Sequence, residues 1–137
     1  MKSFQVNIVT PEKVAWEAEA VSVIIPGSEG YLGVWANHAP LVTGLTPGVI
    51  AIRLDDAGNT TYLACSGGFV EISDNTVNIM TDSAEEAAHI DADRAKAALE
   101  RAKDRLAGVA PDTDVDRAQL ARLRAEARLE ALRRSSA

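Results

Sequence analysis

The sequence predicts a small all-β domain followed by a two-helix appendage, and three observations carry that reading. Short β-branched runs, punctuated by turn residues every eight to twelve positions, fill the first 82 residues. From Ser83 onward β-branched residues nearly vanish, and Ala, Leu, Arg and Glu, all strong helix formers, take over. The charge changes with the texture: residues 1–88 carry a net −8 and residues 89–137 a net +2. A division into 1–85, a β-sandwich or barrel, and 86–137, an antiparallel helical hairpin, follows.

The strands are legible one by one. Phe4-Gln5-Val6-Asn7-Ile8-Val9 alternates apolar and polar side chains, as a half-buried strand must, and Pro11 closes it. Ala20-Val21-Ser22-Val23-Ile24-Ile25 ends at Pro26-Gly27. The runs 49–54 and 60–64 flank the glycine-bearing loop Asp55-Asp56-Ala57-Gly58-Asn59, and 69–72 and 76–80 flank Ser73-Asp74-Asn75. Both pairs read as hairpins. Several such runs point to a sandwich or a barrel.

The helical half has its own punctuation. Asp91 can cap a first helix, with Asp93 in the first turn at the positive end of the dipole. Ala88, Ala92, Ala95, Leu99, Ala102, Leu106 and Val109 recur at spacings of four and three, and Gly108 and Pro111 stop the helix. Thr113 or Asp114 can cap a second, with Asp116 in its first turn. The second stripe is Val115, Ala118, Ala125, Leu129 and Leu132, with Arg122 intruding. So short a connection implies an antiparallel pair. Its seam is mostly alanine, which buries little area, so the hairpin should be marginal alone and a plausible moving part.

The residue inventory argues against an enzyme. Gly27, Gly30 and Gly33 are spaced unlike a dinucleotide fingerprint and read as tight-turn residues. Asp112, Asp114 and Asp116 resemble the start of a calcium loop, but Arg117 and Leu123 stand where Gly and Glu are needed. His38 and His89 are too few for a metal site, and Cys65, the one cysteine, reads as a core residue and permits no internal disulfide. A single cysteine fits a reducing compartment, and no leader or membrane-spanning run is expected. The acidic whole and the absence of aromatics from the hairpin weigh against nucleic acid as a partner.

The arginines are more informative. Arg94 and Arg101 share one face of the first helix, and Arg124 and Arg128 one face of the second. This is either a solvated face, eased by pairs such as Glu130 with Arg134, or a set of guanidinium forks converging on a phosphate-bearing anion or an acidic surface.

Three motifs then point to a family. The run from Pro26 through Gly27-Ser28-Glu29-Gly30-Tyr31-Leu32-Gly33-Val34-Trp35-Ala36-Asn37-His38 to Thr43 resembles the signature of the epsilon subunit of bacterial F-type ATP synthases. So do Ser66-Gly67-Gly68-Phe69-Val70-Glu71 and Ile90-Asp91-Ala92-Asp93-Arg94-Ala95, and the resemblance covers essentially the whole chain. It implies a flattened β-sandwich at the foot of the rotating central stalk, in contact with the gamma subunit and the c-ring. It also implies a helical hairpin that either folds against the sandwich or extends into the alpha/beta catalytic head and blocks ATP hydrolysis.

Such a protein has no catalytic activity of its own and requires no cofactor. It sits peripherally at the cytoplasmic face of the bacterial membrane, held there only through the complex, and serves proton- or sodium-driven ATP synthesis. Some members bind ATP as a regulatory ligand. The resemblance carries that role to Glu85, Ile90, Asp91, Arg94, Ala95, Arg101, Arg124 and Arg128, and stalk or c-ring contact to Ser28, Glu29, Tyr31 and His38. Tyr31 stands where many members have Glu, and Trp35 where a smaller aliphatic is usual. The alternative is a free-standing nucleotide-responsive module.

Overall fold

The computed structural model describes residues 2–108 and 110–136. Its strands are β1 (Phe4–Val9), β2 (Val14–Ala20), β3 (Ser22–Gly27), β4 (Gly30–Val34), β5 (Leu41–Arg53), β6 (Thr60–Ser73), β7 (Thr76–Thr81) and β8 (Ala84–Glu86). A single 3-10 turn, Ala87–His89, leads to helices α1 (Ala92–Ala107) and α2 (Val115–Ser135). The strands form one sheet in the order β2-β1-β7-β6-β5-β3-β4, with β8 added to β6. Among the described residues, only the β1–β7 pair is parallel. Folded over on itself, the sheet makes the predicted sandwich, with the two helices at its C-terminal end.

The core follows from the alternation seen in β1, whose Phe4, Val6 and Ile8 are buried while the intervening residues are half-exposed. With them lie Val23, Ile25, Ile50, Ile52, Leu63, Val70, Ile72, Val77 and Ile79, together with Cys65. Burial pushes the Cys65 thiol above its ordinary pKa, so it packs as a small apolar residue. Along β5 the alternation gives way to an unbroken buried stretch from Gly48 to Ile52. A strand reads this way when both of its faces are covered. Ile50 and Ile52 face the sandwich core, and Val49 joins Ala64 beneath the helices.

β5 and β6 are each longer than their sequence suggests. The runs 60–64 and 69–72, separate by their pattern, belong to one strand that passes through Gly67 and Gly68. Both glycines hold positive φ, +102° and +134°. At this corner β6 exchanges partners: residues 68–73 pair with β7, and residues 63–65 with β8. Glycine therefore bends the strand here without ending it. β2 and β4 escape the sequence pattern for related reasons. β2 carries three alanines and two glutamates, poor strand formers, and β4 carries two glycines.

The roles of Gly27, Gly30 and Gly33 are correspondingly more varied than turn-making. Gly30, at φ +121°, does sit in the β3–β4 turn. Gly27 ends β3 where an added Cβ would lie 2.8 Å from the Gly30 carbonyl oxygen, and Gly33 lies in β4 under the Trp35 indole, again at 2.8 Å. The second predicted hairpin closes as a two-residue turn, since Ser73 pairs with Thr76 and both Asp74 and Asn75 have positive φ.

α1 starts at its predicted cap, with the Asp91 carboxylate accepting from the Arg94 amide, and ends at Gly108. α2 is capped by Asp114, which accepts from Arg117 N, while Thr113 Oγ1 accepts from Ala110 N. Ala95 and Ala102 are buried on α1, and Ala118 and Ala125 on α2, so the alanine seam is present. Val109 lies outside the described residues. Val115, expected in the stripe, is 43% exposed at the start of α2. The sequence stripe also omits a second contact face: Ala127 and Ala131 pack with Val49, Ala64, Ala87, Ile90 and Ala95. α2 therefore lies between α1 and the sandwich.

Candidate functional site

The hairpin, β8 and the 3-10 turn enclose a cavity of about 410 Å³, within the range of small-molecule sites. Its walls are Glu85 from β8, Ile90 and Asp91 from the approach to α1, Arg94, Ala95 and Arg101 from α1, and Arg128 from α2. Ala97 and Ala98 keep the α1 wall low, and His89 stands among the lining residues. Seven of the eight residues expected to meet ATP thus border one space. The eighth, Arg124, is one turn back on α2 and lines a small crevice with Cys65, Ser66, Ser83, Glu85 and Arg128.

The electrostatics of this space are uneven. Glu85 Oε1 accepts from Arg128 Nε at 2.9 Å and lies 2.9 Å from Arg128 Nη2. This ion pair joins the sandwich to the hairpin, whereas Arg122–Glu126 and Glu130–Arg133 are local to α2. The Asp91 carboxylate is used as the cap. Among the described residues, Arg94 and Arg101 have no ion-pair partner, although both border the cavity. Two guanidinium groups without an ion-pair partner among the described residues, and a third shared with one carboxylate, give the space a cationic lining of the kind that can accept an anion with several oxygens.

The pairing expected between Glu130 and Arg134 is not formed. Glu130 binds Arg133 instead, which holds the Glu130 carboxyl below its usual range. Arg134 lies over the Tyr62 ring, 5.0 Å from its centroid, and so fastens the end of α2 to β6. Sequence spacing alone allows either partner, because i,i+3 and i,i+4 neighbours share a helix face.

The four stalk-contact candidates divide. Ser28 and Glu29 form the β3–β4 turn, where Ser28 N donates to the Gly44 carbonyl at 2.9 Å. Tyr31 is the second residue of β4, and its hydroxyl accepts from Val49 N at 3.4 Å. That places the phenol beside α2, with Leu123, Glu126, Ala127 and Glu130 as neighbours. His38 lies at the other end of β4, in the loop before β5, its Nδ1 2.6 Å from the Ala39 carbonyl. Next to it, Asn37 N donates to Asn75 Oδ1 at 2.7 Å, which ties this loop to the β6–β7 turn. Sequence reasoning missed His89 as a cavity residue; its place immediately before Ile90-Asp91 was the available signal.

A sandwich carrying a helical hairpin, with an arginine-lined cavity between them, defines a class of small two-module proteins, and comparison with known proteins makes the class specific. Residues 3–87 match the family described as ATP synthase, Delta/Epsilon chain, beta-sandwich domain, and residues 89–133 its long alpha-helix domain. The chain belongs to the ATP synthase delta/epsilon chain family.

Among its relatives, the ATP synthase epsilon chain of Moorella thermoacetica is 47% identical over 131 residues, covering 96% of this chain and 97% of that one. The epsilon chain of Desulfitobacterium hafniense strain DCB-2 is 44% identical with the same coverage. In fold it resembles a chain of the Euglena gracilis mitochondrial ATP synthase OSCP/F1/c-ring assembly, at TM-score 0.72 and 23% identity, covering 96% of this chain and 80% of that one. The family models and these relatives place the chain as an epsilon-type subunit of ATP synthase, a subunit without catalytic activity of its own.

Proposed function

We propose that this subunit couples ion-driven rotation, by protons or sodium, to ATP synthesis, and that its hairpin restrains ATP hydrolysis unless ATP holds it down. The sandwich would meet the gamma subunit and the c-ring, and the extended hairpin the alpha/beta head. Membrane association would come only through that complex, since no described helix is long and apolar enough to cross a bilayer. An outward apolar patch supports docking: Val42 is 71% and Phe69 56% exposed, on adjacent strands and the same sheet face.

The observation that carries the regulatory half is that unpaired Arg94 and Arg101 face a cavity whose other walls come from α2 and β8. That cavity exists only while the hairpin is folded against the sandwich. Any ligand bound there therefore stabilises the folded form by mass action, by about 2.7 kcal/mol at a hundred times its dissociation constant. A triphosphate offers the anionic oxygens such a site requires, and Arg101 and Arg128, from opposite helices, can engage it together.

Isothermal calorimetry on the isolated chain tests this. Binding of ATP is expected, and Arg94→Ala should abolish it while leaving the melting temperature of the ligand-free chain unchanged, because Arg94 is exposed and lacks an ion-pair partner among the described residues. Absence of heat at millimolar ATP removes the sensor role and leaves the stalk role standing. Co-purification with gamma separates the stalk subunit from a free-standing nucleotide-responsive module.

A further inference from the structure

We propose that Tyr62 and Arg134 form a latch that holds the hairpin on the sandwich and so sets the affinity of a cavity that neither residue borders. The latch stands on contacts within the chain; its effect on affinity rests on the nucleotide reading of that cavity. β5 and β6 make their main helix contacts with α2, while α1 packs chiefly on α2. The hairpin is therefore held by one helix. On the sandwich side the holding face is Val49, Tyr62 and Ala64, and on the helix side Ala127, Ala131 and Leu132. Register explains the grouping: Val49 pairs with Ala64, and Tyr62 pairs with Ala51, so all four residues project from the same side of the sheet.

Alanine dominates the helix side of this interface and removes little apolar area from water, so one stronger contact at its end carries weight. Arg134 supplies that contact. Its guanidinium lies 5.0 Å from the centroid of the Tyr62 ring, and both residues are half-buried. Partial desolvation strengthens a cation over an aromatic face. The Glu130 carboxylate accepts from Arg133, which leaves the Arg134 guanidinium to the ring. By the rise of an α-helix, Arg134 lies about 9 Å beyond Arg128, so the latch is separate from the cavity wall. The two are nonetheless linked. Arg128 and Glu85 wall one cavity, so only the docked hairpin binds, and apparent affinity scales with the docked fraction. Loosening the latch weakens binding without touching the ligand, and the ligand in turn tightens the latch.

Thiol labelling of the full chain carrying Val49→Cys reads the latch. Val49 is 1% exposed beneath α2, so a thiol there reacts only when the hairpin lifts. The native Cys65 packs in the sandwich core on the other side of the sheet and reports opening of the sandwich itself. Arg134→Gln should speed labelling at position 49 about two- to fivefold and leave Cys65 unchanged, whereas Arg134→Lys keeps the cation and the slow rate. In a Tyr62→Leu background, Arg134→Gln should have little further effect. Equal acceleration with and without the ring would assign the effect to charge at the C-terminus of α2 and overturn the latch. No acceleration, or the same acceleration at Cys65, would overturn it too. ATP should slow labelling at position 49, and its affinity in calorimetry should fall in Arg134→Gln by the factor by which the docked fraction falls. A chain whose labelling and heat both ignore ATP overturns the nucleotide reading and the effect on affinity, while the labelling rates alone still decide the latch.

Discussion

Arg128→Ala is expected to weaken ATP binding by about 10- to 100-fold, the range for losing a hydrogen-bonded charge in a partly enclosed site. The arginine has two functions that one substitution removes together. It borders the cavity from α2, and its Nε and Nη2 hold Glu85 across the junction between hairpin and sandwich. The ion pair itself is about one-third exposed on each side, so its contribution to docking should stay below about 1 kcal/mol. Glu85→Gln separates the two functions: it breaks the pair but keeps the cation. Calorimetry should show retained binding in Glu85→Gln and loss in Arg128→Ala. Equal loss in both would mean that the carboxylate contributes as much to the site as the guanidinium does.

The largest structural effect is expected at Gly68. Its φ of +134° lies where side chains other than glycine are strained, and a Cβ there would sit 2.0 Å from the Met80 carbonyl oxygen. That carbonyl belongs to β7, whose register with β6 runs through Gly68–Thr81 and Phe69–Met80. Relief requires the two strands to part at the corner where β6 changes partners. Backbone strain of about 1–3 kcal/mol adds to the overpacking, so Gly68→Ala should cost roughly 3 kcal/mol or more. Urea titration should show it as a lower midpoint. Gly58→Ala is the control, since its added Cβ meets nothing within 4 Å despite a φ of +93°. It should cost clearly less.

Much of this architecture was legible in the residues, and the exceptions share a cause. β1 and β7 show period-two burial, and α1 begins and ends at the residues its caps specify. What the pattern divides, the fold joins: β6 runs through Gly67-Gly68, and β5 through Pro47-Gly48. Glycine and proline mark a change of direction without saying whether the strand ends there. α2 hides its second face because alanine, whether buried or exposed, gives little periodic contrast. Ala127 and Ala131 are packed against the sandwich beside the seam residue Ala125. Of the nucleotide candidates, Arg94 and Arg101 fall on the cavity because a single helix fixes their spacing. Arg124, in the neighbouring crevice, and His89, on the cavity rim, take positions that depend on how α2 and the 3-10 turn dock, which no local spacing records.

If the hairpin is a releasable restraint on hydrolysis, its removal should be felt in the assembled complex. ATP hydrolysis by the assembled complex, carrying either the full chain or one lacking residues 89–137, measures it directly. The deletion should raise hydrolysis while assembly is preserved. The difference should narrow as ATP rises, as expected of a nucleotide that holds the intact hairpin against the sandwich. Hydrolysis that is the same with and without residues 89–137 at every ATP concentration would contradict it.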